Sequence, residues 1–217
     1  MAEATMESLS PAELAELRDA ARAFDFAHMR KVGGFHFAMV VGALTMWGAA
    51  VTWAETSGWT LAQLTAVGSA FVAGTVIPSS LHEWGHLLGA RLSGAVSPVH
   101  GDPPGHFVVF DYKMDQNDTR QFGWMSWGGI LAPWVPVLFA LFLVPLSLTS
   151  GAVFFSMLFY KAVATAAFEV PIAQAAAEDG DPGKALTESV KSGGLPRSRK
   201  IGMVAGSICF LLISVFN

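Results

Sequence analysis

The chain has 217 residues, of which 53% are hydrophobic and only 14% charged, whereas an ordinary soluble domain carries roughly a quarter charged residues. This shortage of charge predicts an integral membrane protein embedded in a lipid bilayer. The net charge is -4 and the basic residues form no dense block, which excludes nucleic acid as a partner. The single cysteine, Cys209, excludes both an intramolecular disulfide and a cysteine-based zinc cluster.

The segment 1–31 is predicted to form a cytoplasmic amphipathic helix ahead of the membrane domain. Its residues 10–13 have the spacing of a capping box with proline at the first helical position. Apolar residues from Leu14 to Phe24 then recur at helical spacing, which suits a helix on the membrane surface or against the spans. A solvated leader helix is the alternative. No cleavable signal peptide is expected, so the first span should act as its own insertion signal.

Long stretches without charge predict about five transmembrane helices, because a bilayer core ~30 Å thick is crossed by ~20 apolar residues in a helix. The longest of them, 121–160, is divided at the turn-like sequence 147–151 into a third and a fourth span. Residues 32–217 are therefore expected to form one all-α membrane domain. Its predicted spans are 32–54, 56–81 with the helix continuing to 92, 124–147, 151–170 and 201–216.

Basic residues predict the orientation, since Lys and Arg near the ends of spans are retained on the cytoplasmic side. Twelve of the thirteen lie before the first span, between the second and third, or between the fourth and fifth. These three segments share one side of the membrane, so the N-terminus is predicted to be cytoplasmic. Lys161, inside the fourth span, is the exception. The host membrane is expected to be a bacterial inner membrane.

The cytoplasmic segment 93–120, after the second span, is predicted to contain a short β-hairpin. Residues 101–105 read Gly-Asp-Pro-Pro-Gly, which is a strong turn signal. The apolar and β-branched run from His106 to Phe110 follows it and is typical of a strand.

At the end of the second span stands the sequence His82-Glu83-Trp84-Gly85-His86. On a helix, His82 and His86 project from one face about one turn apart, which suits two imidazoles that bind one metal ion. Zinc polarises a carbonyl and acidifies bound water, while a neighbouring carboxylate takes a proton and later delivers it to the leaving amine. We therefore interpret His82 and His86 as zinc ligands and Glu83 as the general base.

Membrane depth strengthens this interpretation. Ionisable groups inside a bilayer cost several kcal/mol or more unless they are paired, hydrated or metal-bound. In the alternative interpretation the motif emerges just into the cytoplasmic interface, ahead of Arg91, where the cost is small. A catalytic zinc usually has a third protein ligand. The segment 168–181 lies on the same side and offers carboxylates at Glu169, Glu178, Asp179 and Asp181.

With these elements the chain resembles the site-2 protease family of intramembrane zinc metalloproteases. In that family a His-Glu-x-Gly-His segment lies on one span, and an Asp-Gly dipeptide near a later span supplies the third ligand. The resemblance implies Asp179, followed by Gly180, as the first choice for that ligand, with Asp181 and Glu169 as second choices. It extends to the small residues before Pro133, where Gly128 and Gly129 are expected to let the third span approach the histidine-bearing helix closely.

The leading hypothesis is a zinc endopeptidase that cleaves a peptide bond in or near a transmembrane segment of another membrane protein. One alternative is a catalytically inactive, protease-like scaffold subunit of a membrane complex. Membrane di-iron oxygenases and desaturases are disfavoured, because they need about eight clustered histidines including adjacent pairs, whereas this chain has six and no such pair.

Overall fold

The computed structural model describes residues 11–100 and 108–216, and within these ranges the chain forms seven helices. Five helical stretches are long and apolar enough to cross a membrane, which fits a multi-pass membrane protein. They comprise Ala23–Ser57, Thr60–Leu92, Thr119–Leu143, Thr149–Asp179 and Gly194–Phe216. The helices are α1 (Pro11–Ser57), α2 (Thr60–Leu92), α3 (Thr119–Leu131), α4 (Trp134–Leu143), α5 (Thr149–Asp179), α6 (Pro182–Lys191) and α7 (Gly194–Phe216).

Helix α1 joins the predicted N-terminal helix and the first span without a break, over 47 residues. Ser10, the first residue of the predicted capping box, lies outside the described residues, as do the side chains of Leu14 and Leu17. Phe24 is exposed, so it does not pack against the other helices. Gly58 ends α1 with a left-handed φ of 66°, and its N–H donates to the Ala54 carbonyl at 3.0 Å.

The third crossing is built from two helices rather than one. Asp118 and Gln121 form a capping box at the start of α3, so this crossing begins before the predicted residue 124. The helix is interrupted at Ala132 and Pro133, because proline lacks the N–H that would continue the hydrogen-bond ladder. Helix α4 then ends at Leu143, four residues earlier than the predicted 147.

The fourth crossing, α5, continues past its predicted end at residue 170. Pro171 lies inside the helix, which runs on to Asp179. A proline in a long helix removes one hydrogen bond but need not end it when neighbouring helices support both halves. Gly180 ends α5 instead, with a left-handed φ of 72° and an N–H that donates to the Ala176 carbonyl at 3.0 Å.

Helix α2 is at the centre of the bundle and packs against α1, α3 and α5, while α7 packs along α5. Glycines make these contacts close. A Cβ on Gly85 of α2 would collide with the Gly128 carbonyl of α3, and a Cβ on Gly89 would collide with the Trp124 carbonyl. The close approach expected of the third span is therefore confirmed, and backbone atoms of α3 come within reach of α2 side chains.

The predicted cytoplasmic β-hairpin is not found. The described part of the segment between α2 and α3 contains no strand, only one antiparallel bridge between Val99 and Phe110. The His100 N–H donates to the Val109 carbonyl and the Asp111 N–H to the Pro98 carbonyl, both at 3.0 Å. Pro98 has no N–H to donate back to Asp111, and beyond it only a long bond from the Lys113 N–H to the Val96 carbonyl, at 3.4 Å, continues the pairing. The turn sequence at 101–105 lies outside the described residues.

Candidate metal centre

Helix α2 carries His82 and His86 on the face turned towards α3 and α5. Their ring centroids are 4.4 Å apart, as expected for residues one helical turn apart. Both rings are largely shielded, with side chains 20% and 13% exposed. The structure thus brings the two predicted histidine ligands together inside the helix bundle.

Backbone carbonyls of α3 orient both imidazole rings through hydrogen bonds with their Nδ1 atoms. His82 Nδ1 lies 3.0 Å from the Gly129 carbonyl oxygen, and His86 Nδ1 lies 2.9 Å from the Met125 carbonyl oxygen. A carbonyl oxygen only accepts, so each Nδ1 must carry the hydrogen that it donates. In a neutral ring the lone pair is then on Nε2, which is the usual arrangement of a metal-binding histidine oriented by its second nitrogen.

Gly129 has a second role in this contact. A Cβ at this position would collide with the His86 ring itself. The absence of a side chain therefore makes room for the imidazole, while the carbonyl of the same residue holds His82. The backbone of α3 shapes the site although no α3 side chain takes part in it.

Glu169 of α5 completes the group. Its Oε1 lies 3.2 Å from the Nε2 atom of His82 and 3.2 Å from that of His86. The carboxyl group is 15% exposed, and its Oε2 is buried with no hydrogen-bond partner among the described residues. Within residues 11–100 and 108–216, His82, His86 and Glu169 offer three ligand atoms that all lie within 4.8 Å of one another.

This arrangement fits a metal ion. Two nitrogen lone pairs and a carboxylate oxygen that face each other at 3.2 Å repel unless a metal cation lies among them or a ring nitrogen carries a proton. Ligand atoms about 2.1 Å from a tetrahedral zinc lie roughly 3.4 Å apart, close to these separations. The buried second oxygen of Glu169 also supports a bound cation, because a buried carboxylate without a counter-charge is costly. The group could therefore hold a metal ion.

The structure places Asp179, the first choice for the third ligand, away from the histidines at the exposed end of α5. Its Oδ2 lies 3.3 Å from Lys184 Nζ, and both side chains are 52% exposed. The Asp-Gly dipeptide coincides with the end of the helix, where Gly180 supplies the left-handed backbone. Asp181 caps α6, its Oδ1 accepting from the Lys184 N–H at 2.9 Å. Glu169 is the candidate acid that lies beside the rings.

Glu83 lies at the edge of the group. Its Oε1 is 3.7 Å from His82 Nε2, and its side chain is 18% exposed. It is close to the candidate metal position without belonging to the three-ligand group. It also lines a cavity of about 200 Å³, which would let water reach the carboxylate. The other residues lining this cavity are Ser79, His82, Lys161 and Thr165.

Sequence reasoning named Glu169 as a candidate ligand and Lys161 as an isolated charge, and missed that both belong to one polar face of α5. Lys161, Thr165 and Glu169 follow one another at intervals of four residues, so they lie on one face of α5. That spacing was a readable signal, because three polar residues on one face of an apolar span point to a buried polar surface. The contacts from the carbonyls of Met125 and Gly129 had no such signal, since every residue has a carbonyl.

Comparisons of the chain with protein-family models, with curated proteins and with solved structures found no match. The geometry of the centre is therefore the ground for assigning a function.

Proposed function

We propose that this protein is an intramembrane zinc metalloprotease, similar in its chemistry to the site-2 protease family, that hydrolyses a peptide bond in or near a transmembrane segment of another membrane protein. The observation that carries the proposal is the convergence of two imidazole nitrogens on Glu169, with both rings oriented by backbone carbonyls. A set of two histidines and one glutamate suits a catalytic zinc that keeps a position open.

The metal is the first part of the proposal. The described group offers nitrogen and carboxylate ligands and no thiolate, which is compatible with zinc as well as with other divalent ions. Zinc is favoured because two imidazoles with one carboxylate form the donor set of zinc hydrolases, which place a further glutamate beside the metal. When bound, zinc would polarise the substrate carbonyl and make a water molecule more acidic.

The residues of the chain would then have separate tasks. His82, His86 and Glu169 hold the ion. Glu83 is close enough to take a proton from the attacking water as its oxygen adds to the carbonyl carbon, and the same proton passes to the leaving nitrogen as the C–N bond breaks. The cavity beside Glu83 and His82 has room for the attacking water.

The distribution of basic residues supports the orientation that belongs to this proposal. With a cytoplasmic N-terminus, helices α2 and α5 both run towards the cytoplasm, and the centre lies in their cytoplasmic halves. A substrate would then be cut near the cytoplasmic end of its own span. A bacterial inner membrane remains the proposed host.

The test separates an enzyme from an inactive scaffold. Purified wild-type protein, Glu83→Gln and a matched Asp179→Asn control are analysed for bound zinc and for cleavage of a single-span reporter in proteoliposomes. We expect all three to bind one zinc per chain, and Glu83→Gln alone to lose cleavage by about 10²–10⁴-fold, the usual contribution of a general base. Equal cleavage by wild type and Glu83→Gln would refute the mechanism, and zinc without cleavage by the wild type would favour the scaffold.

A further inference from the structure

Lys161 is a charged residue in the membrane-spanning part of α5, and the ligand group does not use it. It was the one basic residue that departed from the charge distribution of the sequence. Ionisable residues at this depth are rare and costly, and they are retained where a function or a partner requires them. The groups around Lys161 should therefore indicate the function of its charge.

The Lys161 side chain is partly buried and lines the same cavity as Glu83 and His82. Its charge is close enough to be attracted by Glu83 and repelled by Arg199 of α7. Among the described residues its ammonium group takes part in no hydrogen bond or ion pair, so the group keeps donors available.

Two polar faces meet across this cavity. On α5, Lys161 and Glu169 are separated by two helical turns, about 12 Å along the axis, with Thr165 between them. On α2, Ser79 lies one turn before Glu83. Both helices run in the same direction, so Lys161 and Ser79 lie on the side of the cavity away from Glu169. A group bound beside Glu83 would have the carboxylate ligand on one side and the ammonium group on the other.

The cavity is small. Its volume of about 200 Å³ corresponds to roughly seven water molecules at ~30 Å³ each, enough for a peptide group and the attacking water. In such a space the charge that appears during hydrolysis is the negative charge on the carbonyl oxygen. A fixed cation in a water-poor site stabilises a developing oxyanion far more than it would in bulk water.

We infer that Lys161 is a catalytic residue whose ammonium group donates a hydrogen bond to the carbonyl oxygen of the scissile peptide as water adds to the carbonyl carbon. The carbonyl π electrons move onto that oxygen, and the water proton moves to Glu83. The electrons return as the C–N bond breaks, and the proton passes to the leaving nitrogen. Lys161 keeps its own proton throughout. This inference rests on the proposed proteolytic function.

The experiment restores the charge without restoring the lysine. Cys209 is the single cysteine of the chain, so Lys161→Cys in a Cys209→Ala background carries one thiol. The folded, zinc-loaded variant is treated with 2-aminoethyl methanethiosulfonate, which adds an ammonium group, or with propyl methanethiosulfonate, which adds a neutral chain of similar size. Zinc content and kcat/KM on the single-span reporter are measured before and after treatment.

We expect Lys161→Cys to keep its zinc and to lose about 10²–10³-fold in kcat/KM, the range seen when one oxyanion donor is removed. The aminoethyl reagent should restore at least tenfold, and the propyl reagent nothing. Lys200→Cys, on the exposed surface of α7, is the matched control and should cleave like the Cys209→Ala parent under all treatments.

Undiminished cleavage by Lys161→Cys, or equal recovery with the propyl reagent, would overturn the inference. So would a loss confined to reporters with an acidic residue in the cleaved segment, since Lys161 would then recognise a substrate side chain. Glu83→Gln in the same assay distinguishes a wrong role for Lys161 from a wrong proteolytic function. If Glu83→Gln is inactive and Lys161→Cys is fully active, the role of Lys161 alone is wrong. If Glu83→Gln cleaves normally, or the wild type is inactive, the proteolytic function and this inference are overturned together.

Discussion

The middle of α5 at Glu169 and its C-terminal corner at Asp179 to Asp181 are both acidic, but their surroundings differ in every respect that bears on metal binding. Glu169 is 15% exposed and faces two imidazole nitrogens at 3.2 Å. Asp179 is 52% exposed and pairs with a lysine, while Asp181 caps the next helix. Carboxylates of the same charge thus serve as a metal-ligand candidate in one place and as ordinary helix-end groups in the other. Whether a carboxylate can serve as a metal ligand here depends more on its burial and its partners than on the local sequence.

The largest expected effect is on zinc affinity, when the carboxylate charge is removed at each of these two places in turn. Glu169→Gln should lower zinc affinity by more than the 10–100-fold typical of an outer-shell change, because it removes a charged ligand atom. Asp179→Asn should leave zinc affinity unchanged, since its exposed carboxylate pairs with Lys184 and lies outside the three-ligand group. Zinc titration of both purified variants against a competing chelator measures the difference. Loss of zinc in Asp179→Asn with retention in Glu169→Gln would reverse the assignment.

A smaller effect is expected where α3 meets the histidines. Gly129→Ala should weaken zinc binding and lower the thermal unfolding midpoint, because the added methyl group collides with the His86 ring and must push α3 away. Gly68→Ala on α2 is the matched control, since a Cβ there meets nothing within 4 Å. Zinc titration and thermal melts in detergent would test both. If the two variants behave alike, the packing of α3 does not orient His86.

The smallest effect is expected at the acidic corner. Gly180→Ala places a side chain on a backbone with φ of 72°, which costs about 1–2 kcal/mol for an L-residue. It should therefore lower thermal stability while leaving zinc affinity intact. Gly183→Ala, inside α6 and with only Asp181 Oδ1 at 3.5 Å from the new Cβ, provides the comparison. A fall in zinc affinity in Gly180→Ala would connect the corner to the metal centre after all.

Much of this architecture could be predicted from the sequence, because lipid imposes a simple rule: long apolar stretches become helices. The five crossings were predicted on that basis, although their ends were not. The sequence predicts that the fourth span ends at residue 170, which makes Glu169 a residue of the membrane boundary. In the structure the helix continues through Pro171, so Glu169 lies well inside it.

The histidines and Glu83 could be found because their spacing on one helix carries the signal. The third candidate ligand could not be fixed, because it depends on how α2 and α5 are placed against each other, and several acids compete nearby. The Asp-Gly dipeptide was ambiguous in a physical sense. Asparagine, aspartate and glycine also favour helix ends and turns, and this is the role that Gly180 takes here.

Both imidazoles donate hydrogen bonds to main-chain carbonyls of α3. The ring orientations are therefore independent of the side chain at Met125 and depend on the register between α2 and α3. A slide of α3 along α2 would therefore change the length and angle of both bonds together. Bilayer thickness tilts and shifts helices of this kind. Lipid composition is therefore a physical variable that reaches the two rings at once, through the backbone of one neighbouring helix.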